Sequence, residues 1–160
     1  MSKTSGAILE YADERIAHLM NEYLRYISSS PHIRMEELFS HVVNQPAPRF
    51  WVSPVRAAVV IASMFRGNTL HNMRPSKIEM FREIYRRVVA LREKRPCAPL
   101  SVIVEEIVMS PAPKCYLSPS SAKIMIYKAK RKWYARKLKK ILRKSISAPC
   151  EGKQPLKATE

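Results

Sequence analysis

The sequence predicts an all-α fold, built as a tandem duplication of a three-helix, helix-turn-helix-like unit with a long basic helix in the second copy. Three observations carry this expectation. The phrase PAPRFWVSP at residues 46–54 returns as PAPKCYLSP at residues 111–119. Apolar residues recur at spacings of three and four rather than in alternation, which is the period of a helix and not of a strand. Nearly all the net charge lies in the second half, which contains the run KAKRKWYARKLKKILRK over residues 128–144, with ten Lys/Arg and no acid.

The elements follow in order. A first helix over about 8–28 sets Ile16, Leu19, Tyr23 and Ile27 on one face, and Pro31 stops it by removing a donor and clashing with the turn before it. A short second helix, about 34–44, offers Leu38, Val42 and Val43 to a core. Pro46-Ala47-Pro48 cannot continue a helix and biases the residues before each proline toward extended backbone, so the chain turns a stiff corner. Ser53 is a good N-cap and Pro54 suits the first helical position, so a third helix starts there, runs to Phe65 and is closed by Gly67.

A shift of 65 positions lays Pro31 on Pro96, Val43 on Val108, Ser53-Pro54 on Ser118-Pro119, Ala57 on Ala122, Ile61 on Ile126 and Arg66 on Arg131. The second copy then has helices over about 76–94, with Ile78, Phe81, Ile84 or Tyr85, Val88 and Leu91 inward, and over 99–109, with Ile103, Ile107 and Val108. Its third helix starts at Pro119 and meets no comparable stop until Ser145. The expected organisation is a near-neutral unit at 8–67, a linker at 68–75, a second unit at 76–145 and a tail at 146–160.

Composition narrows the function classes. The chain has 160 residues, 46% of them apolar, enough for a packed core. Charges interrupt every apolar run well short of the ~20 residues that cross a bilayer, so no spanning segment is expected, and a membrane surface ranks below nucleic acid and protein as a partner for the basic amphipathic helix. The opening MSKTSGAILEYADERI lacks the hydrophobic segment of a secretory signal, so a cytoplasmic location is expected. Cys97, Cys115 and Cys150 form neither a disulfide framework nor a CxxC site, and Cys115 matches Phe50 in the other copy, as a buried apolar residue would. His18, His32, His41 and His71 show no ligand spacing, so no metal and no cofactor is expected. Glu36-Glu37 and Glu105-Glu106 are adjacent acids that diverge on a helix, and there is no Gly-rich phosphate loop, HExxH or nucleophile elbow, so the chain is not expected to be an enzyme.

Charge points to a partner. The net charge is +16, of which residues 1–73 contribute +1 and residues 74–160 contribute +15. Such asymmetry favours polyanions, and nucleic acid is the commonest. The expected contacts are Lys114, Lys123, Lys128, Lys130, Arg131, Lys132, Trp133, Arg136, Lys137, Lys139, Lys140, Arg143 and Lys144, chiefly to phosphates. Lys114, like Arg49 in the first copy, also stands beside a helix start that presents unpaired amides. Ser120, Ser121, Lys123 and Lys128 would front a groove-entering helix but form no clear base-reading set, so backbone contact outweighs sequence recognition. DNA is preferred to RNA because the units are helical and carry no RNA-binding sheet motif. Tyr127, Tyr134, Leu138 and Ile141 share a stripe that either packs the two copies together or meets a protein partner, whereas Trp133 lies off it and could stack on bases. The alternative class is a structural or adaptor protein whose basic helix binds a protein or ribonucleoprotein. The sequence does not specify an oligomeric state.

The proline-bounded phrase and the alanine-containing helix start after it resemble those of small uncharacterised basic proteins from Bacteroides-type bacteria and their phages or mobile elements, over residues 35–66 and 73–131. The resemblance implies a phage or mobile-element gene product. It brings no activity and no catalytic residue with it.

Overall fold

A computed structural model describes residues 11–147. They form six helices and no strand: α1 Ala12–Ser29, α2 Met35–Asn44, α3 Pro54–Phe65, α4 Pro75–Lys94, α5 Leu100–Val108 and α6 Pro119–Ser147. The expected start of the first helix at residue 8 and most of the 146–160 tail lie outside the described residues. The all-α expectation is met, with helix ends close to those read from the sequence.

Each helix has a local cause. α1 opens with Asp13 and Glu14 in its first turn, where they favour the positive end of the helix dipole, and it buries Leu19 and Tyr23. α2 buries Leu38, Phe39, Val42 and Val43, two adjacent pairs one turn apart. α3 begins where the Ser53 hydroxyl accepts the Arg56 N–H at 3.2 Å and Pro54 fills the first turn. It ends in a paired cap: Gly67 N–H donates to the Met64 carbonyl at 3.0 Å and Asn68 N–H to the Ser63 carbonyl at 3.2 Å. Gly67 has φ +83°, a conformation that a side chain would strain. α4 buries Met80, Phe81, Ile84 and Val88, and α5 buries Ile103, Val104, Ile107 and Val108. α6 repeats the start of α3, the Ser118 hydroxyl accepting the Ser121 N–H at 3.2 Å.

The two proline corners meet each other. Ala47 N–H donates to the Ala112 carbonyl and Ala112 N–H to the Ala47 carbonyl, both at 2.9 Å. Phe50 N–H donates to the Val108 carbonyl and Cys115 N–H to the Val43 carbonyl, both at 3.0 Å. A shift of 65 positions, forward in one strand of contacts and back in the other, turns each bond of a pair into its mate. These bonds satisfy backbone groups that the prolines exclude from any helix. The rings follow: Phe50 stacks on Tyr116 with centroids 5.9 Å apart, and Trp51 and Cys115 are both almost wholly buried. Tyr116 reaches this position with φ +52°, a left-handed backbone that costs roughly 1–2 kcal/mol outside glycine.

Arg87 fastens α4 to this centre. Its guanidinium donates to Glu83 at 2.7 Å and to the Pro111 carbonyl at 2.8 Å, and lies 5.1 Å from the Phe50 ring centre. Bonds from Arg86, and after them the bond from Arg87, hold the Glu83 carboxyl below the usual carboxylate range against the burial that would raise it.

The two helix triplets interlock. α3 packs against α5, from the other triplet of helices, and against α4. The compact unit therefore runs through the 68–75 connection and ends at Ile126, and a second unit starts at Tyr127. Residues 68–75 lie inside that unit, and the corners exchange backbone bonds across the two triplets.

Candidate nucleic-acid interface

α6 opens inside the compact unit, where Ala122 and Ile126 are buried at the spacing of one helical turn. It continues unbroken to Ser147. The reason is legible against α3: Lys132 stands at the position of Gly67, so no left-handed stop follows Arg131.

Within the second unit every side chain from Arg131 to Ile146 is exposed. At about 100° per residue, Lys128, Lys139, Lys132, Arg143 and Arg136 fall in that angular order within an arc of about 80°. Lys140, Lys144, Lys137 and Lys130 extend the same cationic side, with Lys130 less exposed than the rest. Trp133 lies in the middle of that side. It meets the Tyr134 ring edge-on at 4.9 Å between centroids, and the Lys137 ammonium sits 5.0 Å from its own centre.

Three expected contacts stand away from the cationic side. Arg131 lies on the opposite side of the helix, between Leu138 and Leu142 around the cylinder. Lys114 belongs to the compact unit, where it is paired with Glu79 and lies 5.4 Å from the Tyr116 ring centre. Its burial and pairing make it a brace for the second corner. Lys123, also in the compact unit, is exposed, and Trp133 is half exposed. The groove-facing set expected of a recognition helix is uneven too: Ser120, Lys123 and Lys128 are exposed, while Ser121 is tied to Ser118 by a 2.8 Å hydroxyl bond.

Two features were not foreseen. Leu142 extends the apolar stripe and is 60% exposed, a residue signalled in the sequence by its four-residue spacing from Leu138. A cleft of about 440 Å³ in the compact unit is lined by Arg74, Lys77, Lys114, Ser118 and Ser121, so the starts of α4 and α6 open onto one place. Lys77 there donates to the Trp51 carbonyl at 3.4 Å, and burial, with Arg15 nearby, lowers its pKa. Nothing distant in sequence announces that α4 and α6 begin side by side.

The adjacent acids diverge, Glu37 pairing with Arg34 and Glu106 with Arg95. Among the described residues no group of three His, Cys, Asp or Glu side chains is placed to hold a metal, and no helix is long and apolar enough to cross a membrane. What remains is a helix whose two long sides differ, one cationic and one apolar. No known family, curated protein or solved structure matches the chain.

Proposed function

We propose that this chain is a non-catalytic nucleic-acid-binding protein of the cytoplasm that holds DNA mainly by its phosphates, through the cationic side of α6. One observation carries the reading: Lys128, Lys132, Arg136, Lys139 and Arg143 share a single exposed arc on a helix segment without one acid. Like charges four residues apart cost a few tenths of a kcal/mol per pair, and 128/132, 132/136, 136/140, 139/143 and 140/144 are all such pairs. Phosphates offset that cost. Duplex DNA suits the geometry, since its major groove admits a helix, whereas that of A-form RNA is too deep and narrow.

Lysines outnumber arginines on the cationic side, and no Asn or Gln stands among residues 127–147. Point charges hold phosphates but read bases poorly, so sequence preference is weak. Trp133 adds a stacking surface for unpaired bases, worth roughly 1–3 kcal/mol per base. The reading also takes the two helix triplets as copies of one unit, supported by the paired corner bonds, and keeps the chain among the phage or mobile-element proteins its repeated phrase resembles.

The test is a titration of the full chain with duplex DNA, single-stranded DNA, RNA and anionic vesicles at 50 and 200 mM salt. Neutralising six or more phosphates predicts a fall in duplex affinity of about 10³-fold or more between the two salts. A flat salt response, or vesicle binding as tight as duplex binding, overturns the reading.

A further inference from the structure

The side of α6 opposite the phosphate-facing arc is apolar and uncovered. Tyr134, Leu138, Ile141 and Leu142 are each more than half exposed, and Tyr127 lies in line with them. Around the helix these five fall within about 100°. Tyr127, Tyr134 and Ile141 repeat every seven residues, and Arg131 and Leu138 repeat every seven, four places ahead of them. Alternating steps of four and three are the seam by which one helix packs along another.

The charges around the seam say which kind of helix fits. Lys130, Lys137 and Lys144 form one rim at seven-residue intervals, and Lys128 opens the other. Arg131 stands within the seam itself. A second copy of this helix would set lysine rims against lysine rims and one seam arginine against another, and like charges so placed discriminate against self-pairing. A lipid interface suits it no better, because such helices carry their Trp on the apolar face, and here Trp133 is on the cationic one. We infer that the seam is a docking face for an acidic amphipathic helix of a partner protein. That helix has Leu or Ile in its own seam, Glu or Asp along the edges that meet Lys130, Lys137 and Lys144, and an acid opposite Arg131.

The inference goes beyond nucleic-acid binding and does not depend on it, since of the five residues in the phosphate-binding arc only Lys128 also borders the seam. Its consequence is a helix held between two partners, the protein on one side and the polyanion on the other.

The test uses the full chain and a three-heptad synthetic helix with Leu in the seam and Glu on both edges, against the same amino acids in scrambled order. Fluorescence polarisation at 150 mM salt should show the ordered peptide binding at least about tenfold tighter than the scrambled one. Leu138→Ser with Ile141→Ser should abolish that preference while leaving the unfolding temperature of the compact unit unchanged. Arg131→Glu should also abolish it, and a peptide with Lys at the facing seam position should restore binding to that variant. The restoration requires pairing in register, which a mere loss of helix would not give. Equal binding of ordered and scrambled peptides overturns the inference, as does failure of the charge-swapped peptide to rescue. Concentration-dependent self-association of the chain that the Leu138→Ser/Ile141→Ser variant loses overturns it in favour of a second copy.

Discussion

α3 and α6 start alike and end differently, and the contrast separates what holds this molecule together from what it offers to others. Both begin at a Ser-Pro pair whose serine caps the helix at 3.2 Å. Both bury an alanine and an isoleucine four residues apart, Ala57 and Ile61 in one, Ala122 and Ile126 in the other. Then α3 meets Gly67 and stops, whereas α6 meets Lys132 and carries on to Ser147. The position that holds glycine in one and lysine in the other separates a helix that ends at the compact unit from one that continues into exposed turns. Conformation at a helix end thus determines how much surface the chain presents.

The comparison can be broken most severely at its aromatic residues. Trp51 is almost wholly buried at the corner before α3 and Trp133 is half exposed on α6. Trp51→Ala should destabilise the fold by about 3–5 kcal/mol in urea unfolding. Trp133→Ala should leave stability unchanged and weaken single-stranded DNA binding by roughly 1–3 kcal/mol. Equal stability losses from the two would refute the division between core and surface.

Next in size is the charge of the exposed turns. Replacing Lys128, Lys132, Arg136, Lys139 and Arg143 with alanine together should make the salt dependence of duplex binding shallower by about four in log–log slope. The same variant should unfold at the wild-type temperature or slightly above, since like-charge pairs are relieved. An unchanged slope would place the phosphate contacts elsewhere.

Smaller effects sharpen the contrast at the stop itself. Gly67→Ala should cost about 1–2 kcal/mol, because φ +83° strains any side chain although open space surrounds the position. Lys132→Gly should cost about 1 kcal/mol of helix stability and be visible as lost ellipticity at 222 nm. Ser53→Ala and Ser118→Ala should cost similar amounts, about 1 kcal/mol each, if the two caps are equivalent. A large inequality would show that matching geometry hides different loads.

The smallest effect concerns ionisation. Burial pushes the Cys115 thiol up to about 11, the Trp51 indole beside it opposing the rise, while Cys97 is exposed. A folded-state pKa above the unfolded one means that the neutral thiol stabilises the fold at neutral pH, a contribution lost as pH rises through about 11. Iodoacetamide at pH 8.5, with peptide mass mapping, should modify Cys97 and spare Cys115. Modification of both at equal rates would show the corner to be open.

The helices were legible in the sequence because their signals are local: apolar spacing, a serine before a proline, a proline or glycine after the last turn. The third helices were placed at their first residues, Pro54 and Pro119. The joining of the corners was not legible. Bonds such as Ala47 to Ala112 run between backbone groups, and no side chain announces them. In the sequence Lys114 is a cation beside a helix start, which is where a phosphate would bind, and nothing local points to its partner Glu79 on another helix. The cationic side of α6 was readable from helical spacing alone, since nothing acidic interrupts it. Arg131 was counted with that charge, and only its angular position sets it among the apolar residues.

The exchanged corners also set the order of events during synthesis. The Val43 carbonyl is satisfied by the Cys115 amide and the Phe50 amide by the Val108 carbonyl, so neither corner is complete until both have left the ribosome. Until then the early half of the chain emerges with Phe50 and Trp51 uncovered. Folding of the corners is therefore delayed until Cys115 has emerged, and nascent chains are expected to engage chaperones until it arrives.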